Sequence, residues 1–274
     1  MCERLAGAVA VVTGGGNGIG AATCVRLAEA GASVVAVDCN LEAAEATASK
    51  VRDRTGREAV GIAADVGDEG QVMEMAEAVS NRFGHVDVLV NNAAVRVAPG
   101  PVTSADETSW DRILAVNLKG VAFCAKHVIP LMEMGGSIVN VASNGASVAR
   151  PGWSQYDATK GALVSMTQDM ACDHSVDGIR VNAVSPGWVI TEYHFPDDEG
   201  EARQFFAEKT TPHADGPGVL KRAATPREIA DAILFLASEE SSFITATNLP
   251  VDGGVGAVGK GLSWRDAGFE EATE

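Results

Sequence analysis

Seven short apolar runs rich in β-branched residues alternate with segments of helical periodicity along nearly the whole chain. The runs "AVAVVTG" (8–14), "SVVAVD" (33–38), "AVGIAAD" (59–65), "VDVLVNN" (86–92), "SIVNVAS" (137–143), "IRVNAVSPG" (179–187) and "TNLPVDGG" (247–254) read as strands. Their hydrophobicity is nearly continuous rather than alternating, which predicts strands covered on both faces. Helices are expected over 18–30, 41–55, 69–83, 106–132, 156–175 and 225–237. Repeated βα units of this kind predict an α/β fold: a doubly wound parallel sheet of about seven strands with helices on both faces. No Ser/Gly linker or internal repeat divides the 274 residues, so 1–274 is expected to form a single domain. The stretch 188–220 lacks a clear period apart from a short helical piece, and a loop that long is expected to act as a substrate lid. The tail 256–274, Gly-rich and then acidic, is expected to fray or to dock on a neighbouring subunit.

Charge and cysteine usage narrow the partners. A formal charge of −16 without a Lys/Arg cluster argues against nucleic acid and anionic membranes. The uncharged run from Leu5 to Val25 is as long as a membrane span, but its glycines and Asn17 make strand, turn and helix the better reading. The five cysteines are scattered and odd in number, as expected for free thiols in a reducing compartment. The N-terminus "MCERLAGAV" shows no basic region feeding an apolar core, so the expectation is a cytoplasmic chain without a signal peptide. The histidines lack metal-type spacing, and no metal is expected.

"TGGGNGIG" (13–20) follows the first strand and opens the first helix. Glycines at 14, 18 and 20 permit a tight turn, close approach to a pyrophosphate and close helix–sheet packing, with the anion facing backbone N–H groups. Asp38 ends strand two, where a carboxylate accepts hydrogen bonds from an adenosine ribose. The combination predicts dinucleotide binding. A 2′-phosphate would meet like charge at Asp38, and neither Asn17 nor Cys39 supplies a neutralising cation, so NAD is expected over NADP.

Tyr156 and Lys160 lie four residues apart on one helix face. Removing a hydride from an alcohol carbon requires the hydroxyl proton to leave as well, and a free phenol at a pKa of about 10 is too weak a base. An ammonium about 5 Å away, at an effective dielectric of ~20, favours the phenolate by about 3 kcal/mol, roughly two pK units. The spacing therefore reads as a device that acidifies Tyr156.

With these motifs in order, the chain resembles a short-chain dehydrogenase/reductase of the single-domain, NAD-dependent type, from about Leu5 to Gly254. The resemblance also takes in Asp65-Val66 after strand three, Asn91-Asn92-Ala93 after strand four, Asn117, Ser143, Pro186-Gly187 and Val251-Asp252-Gly253-Gly254. It implies a Rossmann-type sheet and a catalytic tetrad of Asn117, Ser143, Tyr156 and Lys160. Asn117 would hold a water linking Lys160 to solvent, and Ser143 would steer the substrate oxygen toward Tyr156. Lys160 would also hold the nicotinamide ribose. For the cofactor it implies Gly14, Asn17, Gly18, Ile19, Gly20, Asp38, Asn92, Pro186, Gly187 and Val189. Asp65 and Val66 would border the adenine, Asn91 the adenosine-side ribose, and Thr191 the carboxamide or a phosphate. One departure is visible: Ala94 stands where the family usually has glycine.

Substrate walls are expected beyond the strand C-termini, from Arg96, Asn144, Arg150, Trp153, Trp188, Tyr193, His194 and Phe195. The aromatics suit an apolar or ring-bearing substrate, and either arginine could pair a carboxylate. Three functions stay open: an NAD-dependent alcohol dehydrogenase or ketone reductase, a 3-oxoacyl thioester reductase, and a non-catalytic NAD-sensing or scaffold protein. The apolar helices 106–132 and 156–175 point to a homotetramer, as the resemblance also suggests, with a dimer as the alternative.

Overall fold

The structure is a computed structural model that describes residues 3–132, 135–194, 199–213 and 216–258. Phe195, and the expected tail from 259 onward, lie outside the described residues. Seven parallel strands form one sheet: β1 (Val9–Thr13), β2 (Ser33–Asp38), β3 (Ala59–Ala63), β4 (Val88–Asn91), β5 (Gly136–Val141), β6 (Ile179–Pro186) and β7 (Asn248–Val251). Their order is β3-β2-β1-β4-β5-β6-β7. The order reverses between β1 and β4, and the crevice beyond their C-terminal ends is where ligands bind in open α/β sheets.

The central strands match the sequence reading, since every residue of β1 and β4 is buried. The edge strands β3 and β7 do not: most of their residues are only partly covered, because an edge has a neighbour on one side only. One face is filled by α1 (Gly18–Glu29) and α8 (Pro226–Ala237), with α2 (Leu41–Thr55) beside them. The other takes α3 (Glu69–Phe83), α5 (Gly120–Val128) and α6 (Ser154–Asp173). Helix ends follow local chemistry: Asp68 caps α3 through its side chain, and Thr225 with Glu228 forms a capping box on α8. Gly56 and Gly84 close α2 and α3 in the left-handed region.

The helix expected over 106–132 is interrupted. It runs as α4 (Glu107–Leu114), a π-turn at Ala115–Lys119, α5, and a short 3₁₀ turn at Ile129–Leu131. By length and composition Glu107–Leu131 could cross a membrane. Val116, Val121, Cys124, Ala125 and Val128 are buried within the fold, so this is a core helix. Burial pushes the Cys24 and Cys124 thiols up, the latter to about 12, and both serve as small core side chains. The stretch 188–220 contains α7 (Glu199–Thr210) as its helical piece.

Candidate active site

The first strand delivers the chain to the glycine turn, and the turn is fastened from two sides. Asn92, just past β4, donates its amide to the carbonyls of Thr13 and Gly14, 2.9 and 3.1 Å away. The Asp38 carboxylate accepts from Gly16 N–H at 3.0 Å and from Asn40 N–H at 3.0 Å. Gly14 has φ +61°, and a Cβ there would stand 2.8 Å from the Asn92 amide nitrogen. A Cβ on Gly20 would fall 1.9 Å from the Gly14 carbonyl oxygen, so α1 packs against the turn only because that side chain is absent.

The turn opens into a cleft of about 660 Å³. Its walls include Gly14, Asn17, Gly18, Ile19, Asp38 and Asn92 at one end, then Pro186, Gly187, Val189 and Thr191 beyond β6. Ser143, Asn144, Tyr156 and Lys160 line the same cleft, with Arg96, Arg150, Trp153, Trp188 and His194 around them. Ala94 is also in the wall. The side chain of Tyr193 lies outside the described residues.

Four residues expected at the cofactor do not line this cleft. Gly20 is buried beneath the turn rather than in the wall. Asp65 turns to the Arg112 guanidinium at 2.8 Å and to Gly67 N–H at 2.9 Å, and Val66 packs over Gly120. Asn91 is buried in the sheet and donates to Asn140 Oδ1 at 2.9 Å. Glu192, Pro217 and Val255, which line the cleft, were not expected. Glu192 carries no local motif; it is placed by the loop after β6.

Helix α6 presents Tyr156 and Lys160 in its first two turns. Lys160 is 2% exposed and donates from Nζ to the Val141 carbonyl at the end of β5, 2.7 Å away. Its ammonium stands 5.7 Å from the Tyr156 ring centre, and Trp153 meets that ring edge-on at 5.9 Å. Ser143 Oγ accepts from Gly145 N–H at 3.1 Å, which leaves its hydroxyl hydrogen available toward the cleft.

The electrostatics differ from the sequence reading. Burial is the largest influence on Tyr156 and pushes its phenol up; the guanidiniums of Arg96 and Arg150 oppose it, and Asp157 reinforces it. Lys160 is buried beside the phenol, and its own charge is also costly to bury. Burial, helped by Arg96, pulls the Lys160 amine down to about 8. From an ordinary value of 10.5 to about 8 the folded chain binds fewer protons here than the unfolded chain, so stability rises with pH across that window and is lost as pH falls through it. Lys160→Met should flatten this rise, measured by urea unfolding of both proteins at about pH 8 and about pH 10.

Asn117 sits at the centre of the π-turn, fully buried and outside the cleft wall. Its amide oxygen accepts from Val95 N–H at 2.8 Å, and its nitrogen donates to Val95 O at 3.0 Å and Thr159 Oγ1 at 3.3 Å. Both amide hydrogens are thus engaged within the protein. Asn117 clips the loop after β4 to the helix that carries it. Asn117→Ala should orphan both polar groups of Val95 and lower unfolding stability by about 2–3 kcal/mol, measured by denaturant titration.

A family model described as enoyl-(acyl carrier protein) reductase matches residues 14–256. The cis-4-hydroxycyclohexanecarboxylate dehydrogenase of Sinomonas cyclohexanicum is 40% identical over 94% of this chain and 100% of that protein. The chain belongs to the short-chain dehydrogenase/reductase family. Among solved structures, an NAD⁺-bound xylitol dehydrogenase is 32% identical at a TM-score of 0.80, covering 91% of this chain and 99% of that one. A blue fluorescent protein from a metagenomic library, in complex with NADPH, has the same identity and TM-score over 92% and 98%. The short-chain dehydrogenase/reductase is thus an oxidoreductase of alcohol and ketone substrates, in a family that binds a nicotinamide cofactor.

Proposed function

We propose that this chain is an NAD-dependent oxidoreductase that transfers a hydride between nicotinamide and a secondary alcohol or ketone, with Tyr156 as general acid/base. The observation that carries the reading is that one cleft gathers the glycine turn, Asp38, Ser143, Tyr156 and Lys160 from separate parts of the chain.

The cleft fits a dinucleotide on its own chemistry. The Glu192 carboxylate accepts from Gly18 N–H at 3.0 Å, so an anion already rests on the amide where a pyrophosphate would lie. Gly14, Asn17, Gly18 and Ile19 would hold the pyrophosphate, and Asp38 the adenosine ribose. Asn92, Pro186, Gly187, Val189 and Thr191 would border the nicotinamide half. When bound, the nicotinamide accepts or supplies the hydride at the carbinol carbon.

The chain's own groups handle the proton. Ser143 orients the substrate oxygen by donating its hydroxyl. Tyr156 takes the hydroxyl proton in oxidation and returns it in reduction. Its raised pKa keeps it a protonated acid in the free chain, so ionising it requires the added positive charge of the loaded site. Lys160, fixed by the Val141 carbonyl, contributes charge and would hold ribose hydroxyls.

The segment 188–220 borders the cleft through Trp188, Val189, Thr191, Glu192, His194 and Pro217, which supports a substrate lid. The reading extends to one domain over 1–274, to a homotetramer, checked by light scattering, and to the cytoplasm, which the free described cysteines support. A panel of secondary alcohols and ketones with NAD and NADP, followed by absorbance of the reduced nicotinamide, tests the whole. NAD-linked turnover is expected, whereas NADH binding without turnover across the panel would favour a sensor.

A further inference from the structure

The stretch "RPGW" (150–153) leads into α6, and its turn chemistry is explicit. Pro151 presets the second position of a turn, and Gly152 takes φ +81°, the conformation a type II turn requires at its third. The Trp153 N–H donates to the Arg150 carbonyl at 3.3 Å and closes the turn. The side chains at its two ends meet, with the Arg150 guanidinium 4.9 Å from the Trp153 ring centre. Trp153 immediately precedes α6, whose first turn carries Tyr156 and Asp157.

Both ends of the turn rest on Tyr156. The Arg150 guanidinium stands 5.7 Å from the phenol ring centre, and Trp153 meets that ring edge-on at 5.9 Å. Asp157, the next residue, locks the guanidinium: Nε meets one carboxylate oxygen at 3.2 Å and a terminal nitrogen meets the other. The fork is planar, so two bonds fix its orientation as well as its position. The two side chains are 21% and 14% exposed, so salt and water screen their charges weakly. The carboxylate that Arg150 pairs is thus one of the chain's own.

We propose that Arg150 is a positioning residue for Tyr156: the Pro-Gly turn and Asp157 hold it as a fixed cation beside the ring, where it favours the phenolate and keeps the phenol in place for proton transfer. The proposal rests on the reading of Tyr156 as acid/base and names what adjusts it. Charges face the phenol from three elements: Arg96 on the loop after β4, Arg150 on the turn, and Asp157 with the buried Lys160 on α6. Arg96 and Arg150 favour the phenolate, and Asp157 opposes it. Arg150 and Asp157 therefore act on the phenol with opposite sign, so removing each must move its titration in opposite directions. A brace that only filled space would not produce opposed shifts.

The phenol can be watched directly, because the chain has two tyrosines, Tyr156 and Tyr193. In a Tyr193→Phe background, NMR of tyrosine labelled with carbon-13 at the hydroxyl-bearing ring position follows Tyr156 alone in the full chain. Arg150→Met should move the titration to higher pH by about one unit, and Asp157→Asn, which keeps one acceptor for the guanidinium, should move it lower. Arg150→Lys should fall between the background protein and Arg150→Met, since it keeps the charge without the fork. One unit is tenfold in phenolate, so Arg150→Met should lose about tenfold in kcat/KM for oxidation of the panel alcohols, with NADH affinity unchanged. A phenol that titrates at the same pH in Arg150→Met and Asp157→Asn, or moves the same way in both, overturns the proposal. Should Arg150→Met fail to fold, the downward move in Asp157→Asn decides alone. The titration needs no turnover: if Tyr156→Phe stays active, the acid/base reading falls, while the opposed shifts still decide what Arg150 does to the phenol.

Discussion

Tyr156→Phe should bind NADH with unchanged affinity and lose kcat/KM by about a thousandfold, because positioned proton transfer contributes typically 10²–10⁴-fold. The substitution removes one oxygen from a ring that is held by its packing rather than by its hydroxyl. Trp153 meets the ring edge-on and the Arg150 guanidinium stands 5.7 Å from its centre, so the phenyl group keeps its place. Stopped-flow turnover beside an NADH fluorescence titration checks both halves. Near-normal turnover would remove Tyr156 as the acid/base, and loss of NADH binding would mean that the hydroxyl serves the cofactor site rather than proton transfer alone. Because burial raises the phenol in the free chain, the pH profile of kcat/KM for oxidation should climb through the alkaline range and flatten in the phenylalanine variant.

A second large effect is expected at Asp38. The wild-type chain should use NAD over NADP by about 100-fold or more, since a 2′-phosphate beside a partly buried carboxylate costs a few kcal/mol. Among the described residues no ion pair joins Asp38 to a cation, so nothing there offsets that charge. Asp38→Ser should narrow the ratio of the two kcat/KM values mainly by weakening NAD. It should also cost some stability, because the carboxylate buttresses the glycine turn through Gly16 and Asn40. Equal use of NADP by the wild type would defeat the assignment.

Several features were legible before any coordinates. Continuous apolar runs reported central strands, since a strand covered twice has no polar face to show, and β1, β2 and β4 lie where those runs are. The helix expected over 41–55 and the one over 69–83 match α2 and α3 to the residue, because capping side chains and closing glycines are local signals. The i, i+4 pair needed only helical geometry to place Tyr156 and Lys160 together.

Other features had no local signature. The π-turn that interrupts the helix over 106–132 carries Asn117, which bonds Val95, twenty-two residues earlier in the chain. The pairing of Arg150 with Asp157 and the approach of Glu192 to Gly18 join loops and helices that meet only in the fold. Likewise the ionisation of Tyr156 could not be read from its spacing to Lys160. A pairwise attraction is a local quantity, whereas the cost of burying both groups depends on everything packed around them.

The sequence by itself determined the sheet, the glycine turn with its carboxylate, and the placing of Tyr156 above Lys160 on one helix face, because each is written in a short-range period or spacing. Only the tertiary structure decided that Arg150 is braced by Asp157 and two aromatic rings, that Glu192 rests on the Gly18 amide, and that burial raises the Tyr156 phenol. Those are properties of distance and dielectric, and neither exists until the chain has closed on itself.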